Sequence, residues 1–92
     1  PITSFNLADL YFQLGRVKES LVWLVICEAE SHTRNDVRAL IRCYQLRAEI
    51  ALQEGKYLEA EKLAKEAVDR ANATNIKELI YITYRTYSSV LH

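Results

Sequence analysis

Few side chains in this 92-residue chain have the types and spacing for chemistry. Cys27 and Cys43 lie 16 residues apart and form no CxxC. His32 and His92 stand at no recognised metal-ligand spacing from them. The cysteines therefore read as two buried or half-buried thiols of a core. A disulfide stays open, although so helical a chain does not look like a small secreted disulfide scaffold. Ser31-His32 puts a hydroxyl beside an imidazole, but in a linker, with no positioned acid and no nucleophile elbow. There is no Gly-rich phosphate loop, no HExxH and no paired-carboxylate pocket. Most carboxylates neighbour basic residues on what read as solvated helix faces. The expectation is that the chain is not an enzyme, with no catalytic residues, no metal site and no cofactor.

Composition narrows the remaining classes. Twelve Lys and Arg balance twelve Asp and Glu, so the net charge is zero. The balance holds locally too, at 5 against 5 in residues 1–46 and 7 against 7 in 47–92. Such a chain has no electrostatic footprint for nucleic acid or an anionic membrane surface. Its longest apolar run, Leu21 to Cys27, is far shorter than the roughly 20 residues that span a bilayer. Half the residues are apolar, which excludes disorder, and the length fits one domain, 1–92. No signal or transit peptide is evident, so a reducing intracellular compartment, cytoplasmic or nuclear, is expected. The chain opens on Pro1 rather than Met, which points to a fragment or a processed product.

Turn punctuation is scarce: two Gly, one Pro and nothing of either kind after Gly55. Many-stranded folds need such residues every 8–12 positions or so. The alternative is long helices, and the two glycines show how they are arranged. Gly15 and Gly55 are forty residues apart, and sliding the chain by forty aligns Ala8 with Ala48, Gln13 with Gln53, Glu19 with Glu59, Asn35 with Asn75 and Tyr44 with Tyr84. A fixed period of this size marks a solenoid. The copies are 1–40, 41–80 and a partial third, 81–92.

Each copy reads as helix, tight turn, helix and short polar linker. Helices are expected at roughly 4–14 and 17–31. A third carries Val37, Leu40, Ile41, Tyr44, Ala48, Ala51 and Leu52 at i, i+3, i+4, i+7 spacing, with Asn35 or Asp36 capping its start. Gly55 ends it, where a left-handed residue is needed. A fourth begins near Tyr57 and places Tyr57, Ala60, Leu63, Ala64, Ala67, Val68 and Ala71 on its buried stripe. The linker Asn72-Ala73-Thr74-Asn75 ends it. A fifth runs from Ile76 to Leu91.

From Tyr44 to Ala67 the chain resembles a tetratricopeptide repeat. Tyr44 supplies the early aromatic, Ala48 the small residue four later, Gly55 the turn and Tyr57 the aromatic after it; Ala60 and Ala67 are the small residues of the second helix. The first copy matches through Leu7, Ala8, Tyr11, Gly15, Ser20 and Cys27. Arg47, Ala51 and Asn72 depart from the family pattern, and the period of 40 resembles the long-helix variant of signalling adaptors and bacterial regulators. The resemblance implies an all-α fold: an α-α superhelix of five antiparallel helices, about two and a half repeats.

It also implies that the first helix of each repeat lines a concave groove. Phe5, Asp9, Phe12 and Gln13 would face it, then Arg42, Gln45, Leu46, Glu49, Leu52 and Gln53, then Ile82, Arg85, Thr86 and Ser89. These suit an extended or helical peptide, held by hydrogen bonds and one or two charge pairs; the plainer reading is a solvated face. Some family members clamp a C-terminal carboxylate with Lys, Asn and Arg. The corresponding positions here hold Phe5, Asp9, Leu46, Ile82 and Thr86, which excludes that mode.

The repeats differ in one respect. The second helix of repeat 2 carries Lys62, Lys65 and Glu66 on its outward face, where repeat 1 has Val22, Val25 and Ile26. Helix 2 is thus apolar nearly all round and is expected to be buried on more than one side, with Trp23 in the inter-helix core. Neighbouring repeats, a second copy or a partner protein would cover it. The last helix, with Tyr81, Ile82, Tyr84 and Tyr87, lacks the polar face of a capping repeat. The functional expectation is a protein-interaction scaffold or adaptor. The alternative is a peptide-sensing regulatory domain of a larger signalling or transcription-regulating protein.

Overall fold

The computed structural model describes residues 3–91. The expectations for Pro1, Ile2 and His92 lie outside the described residues. Among the described residues there are five α-helices and no strand: α1 (Ser4–Gln13), α2 (Val17–Arg34), α3 (Val37–Gln53), α4 (Tyr57–Thr74) and α5 (Lys77–Leu91). The expected helices are present, and α2 runs three residues further than expected. The linker after α4 is shorter than expected, because Asn72, Ala73 and Thr74 are still helical. The chain divides into two compact units, Pro1–Cys43 and Tyr44–His92, with the boundary inside α3.

The corners set the helix lengths. Positive φ occurs at Gly15, Asn35, Gly55 and Asn75, twenty residues apart each time. A left-handed residue lets the chain leave a helix while two stranded carbonyls are still satisfied. At the first corner, the Gly15 N–H donates to the Phe12 carbonyl and the Arg16 N–H to the Tyr11 carbonyl. The same pair recurs from Asn35 to His32 with Asp36 to Ser31, and from Gly55 to Leu52 with Lys56 to Ala51. At the fourth, the Asn75 N–H reaches the Asn72 carbonyl, and the Ile76 N–H goes to the Thr74 hydroxyl. Asn35 and Asp36 therefore divide the work at one corner. Asn35 takes the left-handed conformation, and the Asp36 carboxylate caps α3 by accepting from the Ala39 N–H at 3.1 Å.

In the first unit α1 packs on α2 at two small residues. Ala8 and Ser20 are both fully buried, and the Ser20 hydroxyl donates to the Ala8 carbonyl at 2.7 Å. In the second unit the equivalents, Ala48 and Ala60, belong to a core with Ala51, Ala64 and Val90, flanked by Leu52, Leu63 and Tyr87. Ala60, Ala64, Ala67, Val68 and Ala71 form the buried stripe of α4. Tyr57, expected on that stripe, is 65% exposed: it is the first residue of α4, a turn ahead of Ala60. Trp23 is half-buried, and Leu24 beside it is the fully buried residue. Helix α3 buries Leu40, Ile41, Cys43, Leu46, Ile50 and Ala51.

Two substitutions test this account by urea denaturation. A Cβ on Gly55 would meet nothing within 4 Å, so Gly55→Ala carries only the left-handed backbone penalty, about 1 kcal/mol. Ala64→Leu forces a branched side chain into a fully buried position and is expected to cost about 3 kcal/mol. Equal small losses for both would contradict close packing at Ala64.

Candidate interaction surfaces

The surface that distinguishes the two repeats is on α2. Val22 and Val25 are each 58% exposed and Ile26 is 38% exposed. Their counterparts Lys62, Lys65 and Glu66 on α4 are exposed as well. The forty-residue register therefore places both triplets on outward faces, one apolar and one charged. The expectation that α2 would be buried on more than one side is not met among the described residues of the first unit, which leave the three side chains exposed. Ala29, exposed one turn beyond Ile26, extends the stripe to i, i+3, i+4, i+7 and matches Asp69 on α4. Sequence reasoning missed Ala29, although the same alignment finds it.

Covering three half-exposed aliphatic side chains releases roughly 3 kcal/mol, from 1.5–3 kcal/mol for each full burial. That is less than the ordering cost of forming a complex. The stripe can thus be the apolar centre of an interface, with the rest supplied by its surroundings.

The groove residues expected in the first unit fall into two groups. Arg42 is exposed, with its guanidinium carbon 5.8 Å from the centroid of the half-buried Phe5 ring, at the range of a cation–π contact. Both line a cleft of about 320 Å³ where the start of α1, the end of α2 and the start of α3 converge. Asp9, Phe12 and Gln13 do not line it. Asp9 and Phe12 are half-buried, Gln13 is exposed, and the Gln13 amide donates to the Asp9 carboxylate at 3.2 Å. The cleft contains two cations that sequence reasoning missed, Arg34 and Arg38. Arg38 and Arg42 are one turn apart on α3, but Arg34 is at the end of α2, so no helical spacing relates it to them. Of the two acids present, Glu30 accepts from the Ser4 hydroxyl and Asp36 is the α3 cap.

In the second unit, Gln45 is half-buried and its amide donates to the Thr86 hydroxyl at 3.0 Å, which ties α3 to α5. Glu49 and Gln53 are exposed. Arg85 lines a shallow apolar depression with Lys77, Ile80, Tyr81 and Tyr84. Ser89 belongs to a different one, with Leu52, Tyr57, Leu58 and Leu91, and its hydroxyl donates to the Arg85 carbonyl at 3.2 Å. Leu46, expected to face the groove, is buried and offers a ligand nothing, because that side of α3 faces the core. Leu58, 81% exposed, is another apolar side chain that sequence reasoning did not single out.

Among the described residues no group of three or more His, Cys, Asp and Glu side chains is placed to hold a metal ion. No helix among them is long and apolar enough to cross a membrane. No protein-family model, curated protein or solved structure matches the chain.

The double variant Val22→Lys with Ile26→Glu tests whether the α2 stripe contributes to folding. Both positions are exposed, and Lys and Glu are good helix formers. Stability in urea is expected to change by less than about 1 kcal/mol. A loss above about 2 kcal/mol would mean that the stripe is buried in the folded chain.

Proposed function

We propose that residues 1–92 form an α-α superhelical array of the tetratricopeptide kind, about two and a half repeats, that acts as a protein-interaction scaffold. The partner is a protein whose amphipathic helix lies along the apolar face of α2. Binding, and not catalysis, is the role, in a reducing intracellular compartment. The observation that carries the reading is the exposed triplet Val22, Val25 and Ile26, set where the sibling helix carries Lys62, Lys65 and Glu66. A solvated helix face has no need of apolar side chains at i, i+3 and i+4, whereas a helix-in-groove partner uses that spacing. The aromatic surface of α5, with Tyr81 and Tyr84 exposed, suits a neighbouring repeat or a second copy.

The Arg-lined cleft favours a second reading, peptide sensing within a larger regulatory protein. Three guanidinium groups and the Phe5 ring suit a short acidic peptide with an apolar side chain.

Partner capture from the source cells, followed by affinity measurement on the captured protein, separates the two. Val22→Lys with Ile26→Glu is expected to weaken binding at least tenfold, equivalent to about 1.4 kcal/mol. Arg38→Glu with Arg42→Glu is expected to change it less than about threefold, below 1 kcal/mol. The reverse pattern supports peptide sensing. Full binding by both variants contradicts the scaffold proposal, and sedimentation of the chain alone shows whether the occupant is a second copy.

A further inference from the structure

The two cysteines meet in the first unit. The Sγ atoms of Cys27 on α2 and Cys43 on α3 are 3.0 Å apart, and both residues are buried, 5% and 0% exposed. Both are thiols, with no disulfide between them. A disulfide needs its sulfurs at about 2.05 Å, so a movement of roughly 1 Å would join them. Their forty-residue counterparts are Ala67 on α4 and Thr83 on α5, both fully buried, in a pair of helices that pack on each other. Small buried side chains therefore recur at these two positions of the forty-residue register, and at the first occurrence both are thiols.

The two thiols differ in access. Cys27 lines the 320 Å³ cleft together with Arg34, Arg38 and Arg42, whereas Cys43 does not. We propose that Cys27 and Cys43 are a redox-active dithiol, which an anionic small-molecule disulfide entering the cleft closes into an intramolecular bridge between α2 and α3. Three arginines against the two carboxylates of Glu30 and Asp36 leave the cleft lining with an excess of positive charge, which attracts the anion.

The exchange has two steps. The Cys27 thiol loses its proton, and its sulfur attacks one sulfur of the oxidant. The S–S bond of the oxidant breaks, and the leaving thiolate takes up a proton. Cys43 then attacks the Cys27 sulfur of the mixed disulfide and expels the second thiolate, which takes the proton that Cys43 loses. Two protein thiols are oxidised by two electrons, one disulfide is reduced to two thiols, and no other reactant is required. The closed loop is short, with its ends 16 residues apart.

Glutathione disulfide is the probe. Incubated with the folded chain, it is expected to remove two hydrogen masses without leaving an adduct, and peptide mapping is expected to show Cys27 joined to Cys43. Tm is expected to rise by about 10 °C, and dithiothreitol to reverse the rise. Cys43→Ser is expected to hold one glutathionyl group on Cys27, and Cys27→Ser to hold none. A wild-type chain that stays unreacted, that keeps a stable adduct, or that links only between two molecules would overturn the proposal. These wild-type readings stand even if a single variant fails to fold. Glutathionylation of Cys43 in a folded Cys27→Ser chain would overturn the assignment of Cys27 as the entry thiol.

Discussion

Helices in this chain approach each other through residues with almost no side chain, and most other features of the structure follow from that. Ala8, Ser20, Ala48, Ala60, Ala64, Ala67 and Ala71 are all fully buried. Alanine and serine at the crossing points let helix axes come close, so dispersion contacts form along the backbones as well as between side-chain ends. A larger residue at one of these points would push a whole helix outward. Ser20 adds a hydrogen bond to the Ala8 carbonyl, which its counterpart Ala60, having no hydroxyl, cannot make. The same demand for small side chains accounts for the cysteines: a thiol is small enough for these positions, as the alanine and threonine at the equivalent sites indicate.

Close packing at small residues leaves less room inside for large ones. Leu10, Leu14, Tyr57, Leu58 and Tyr81 are all more than half exposed. Scattered exposed residues of this kind are ordinary on a folded surface. The α2 stripe differs because it is a row at helical spacing and because the register gives it a charged control on α4. Both triplets sit on outward faces of helices that begin after the same kind of glycine corner. Both sets of side chains are exposed, and on the proposed scaffold role the difference between them reflects what each face meets outside the fold.

Much of this organisation is legible in the sequence. The two glycines mark left-handed corners because no other residue takes that conformation so cheaply, and the apolar spacing around them specifies helices. Asn35 and Asn75 were visible as an aligned pair, but their left-handed role was not, because asparagine serves equally as a helix cap. The end of α2 was missed for a related reason: Ser31, His32 and Thr33 look like linker, yet the Ser31 and Thr33 hydroxyls bond to the Cys27 and Ala29 carbonyls of their own helix. Leu46 and Tyr57 exchange the environments expected of them. Periodicity shows that a helix has an apolar side, but which flanking residue a neighbour covers depends on where the helices cross. The Arg-lined cleft was illegible because its members come from three helix ends, and proximity of that kind has no signature in residue spacing.

The central claim is that the outward face of α2 meets another protein and the matching face of α4 does not. Photo-crosslinking from the two equivalent positions tests it most directly. A benzoylphenylalanine placed at Val25 or at Lys65 would be irradiated in the source cells and its adducts counted. Specific protein adducts from position 25, and only background from position 65, are the predicted result. Equal labelling from both positions, or background from both, would contradict the account.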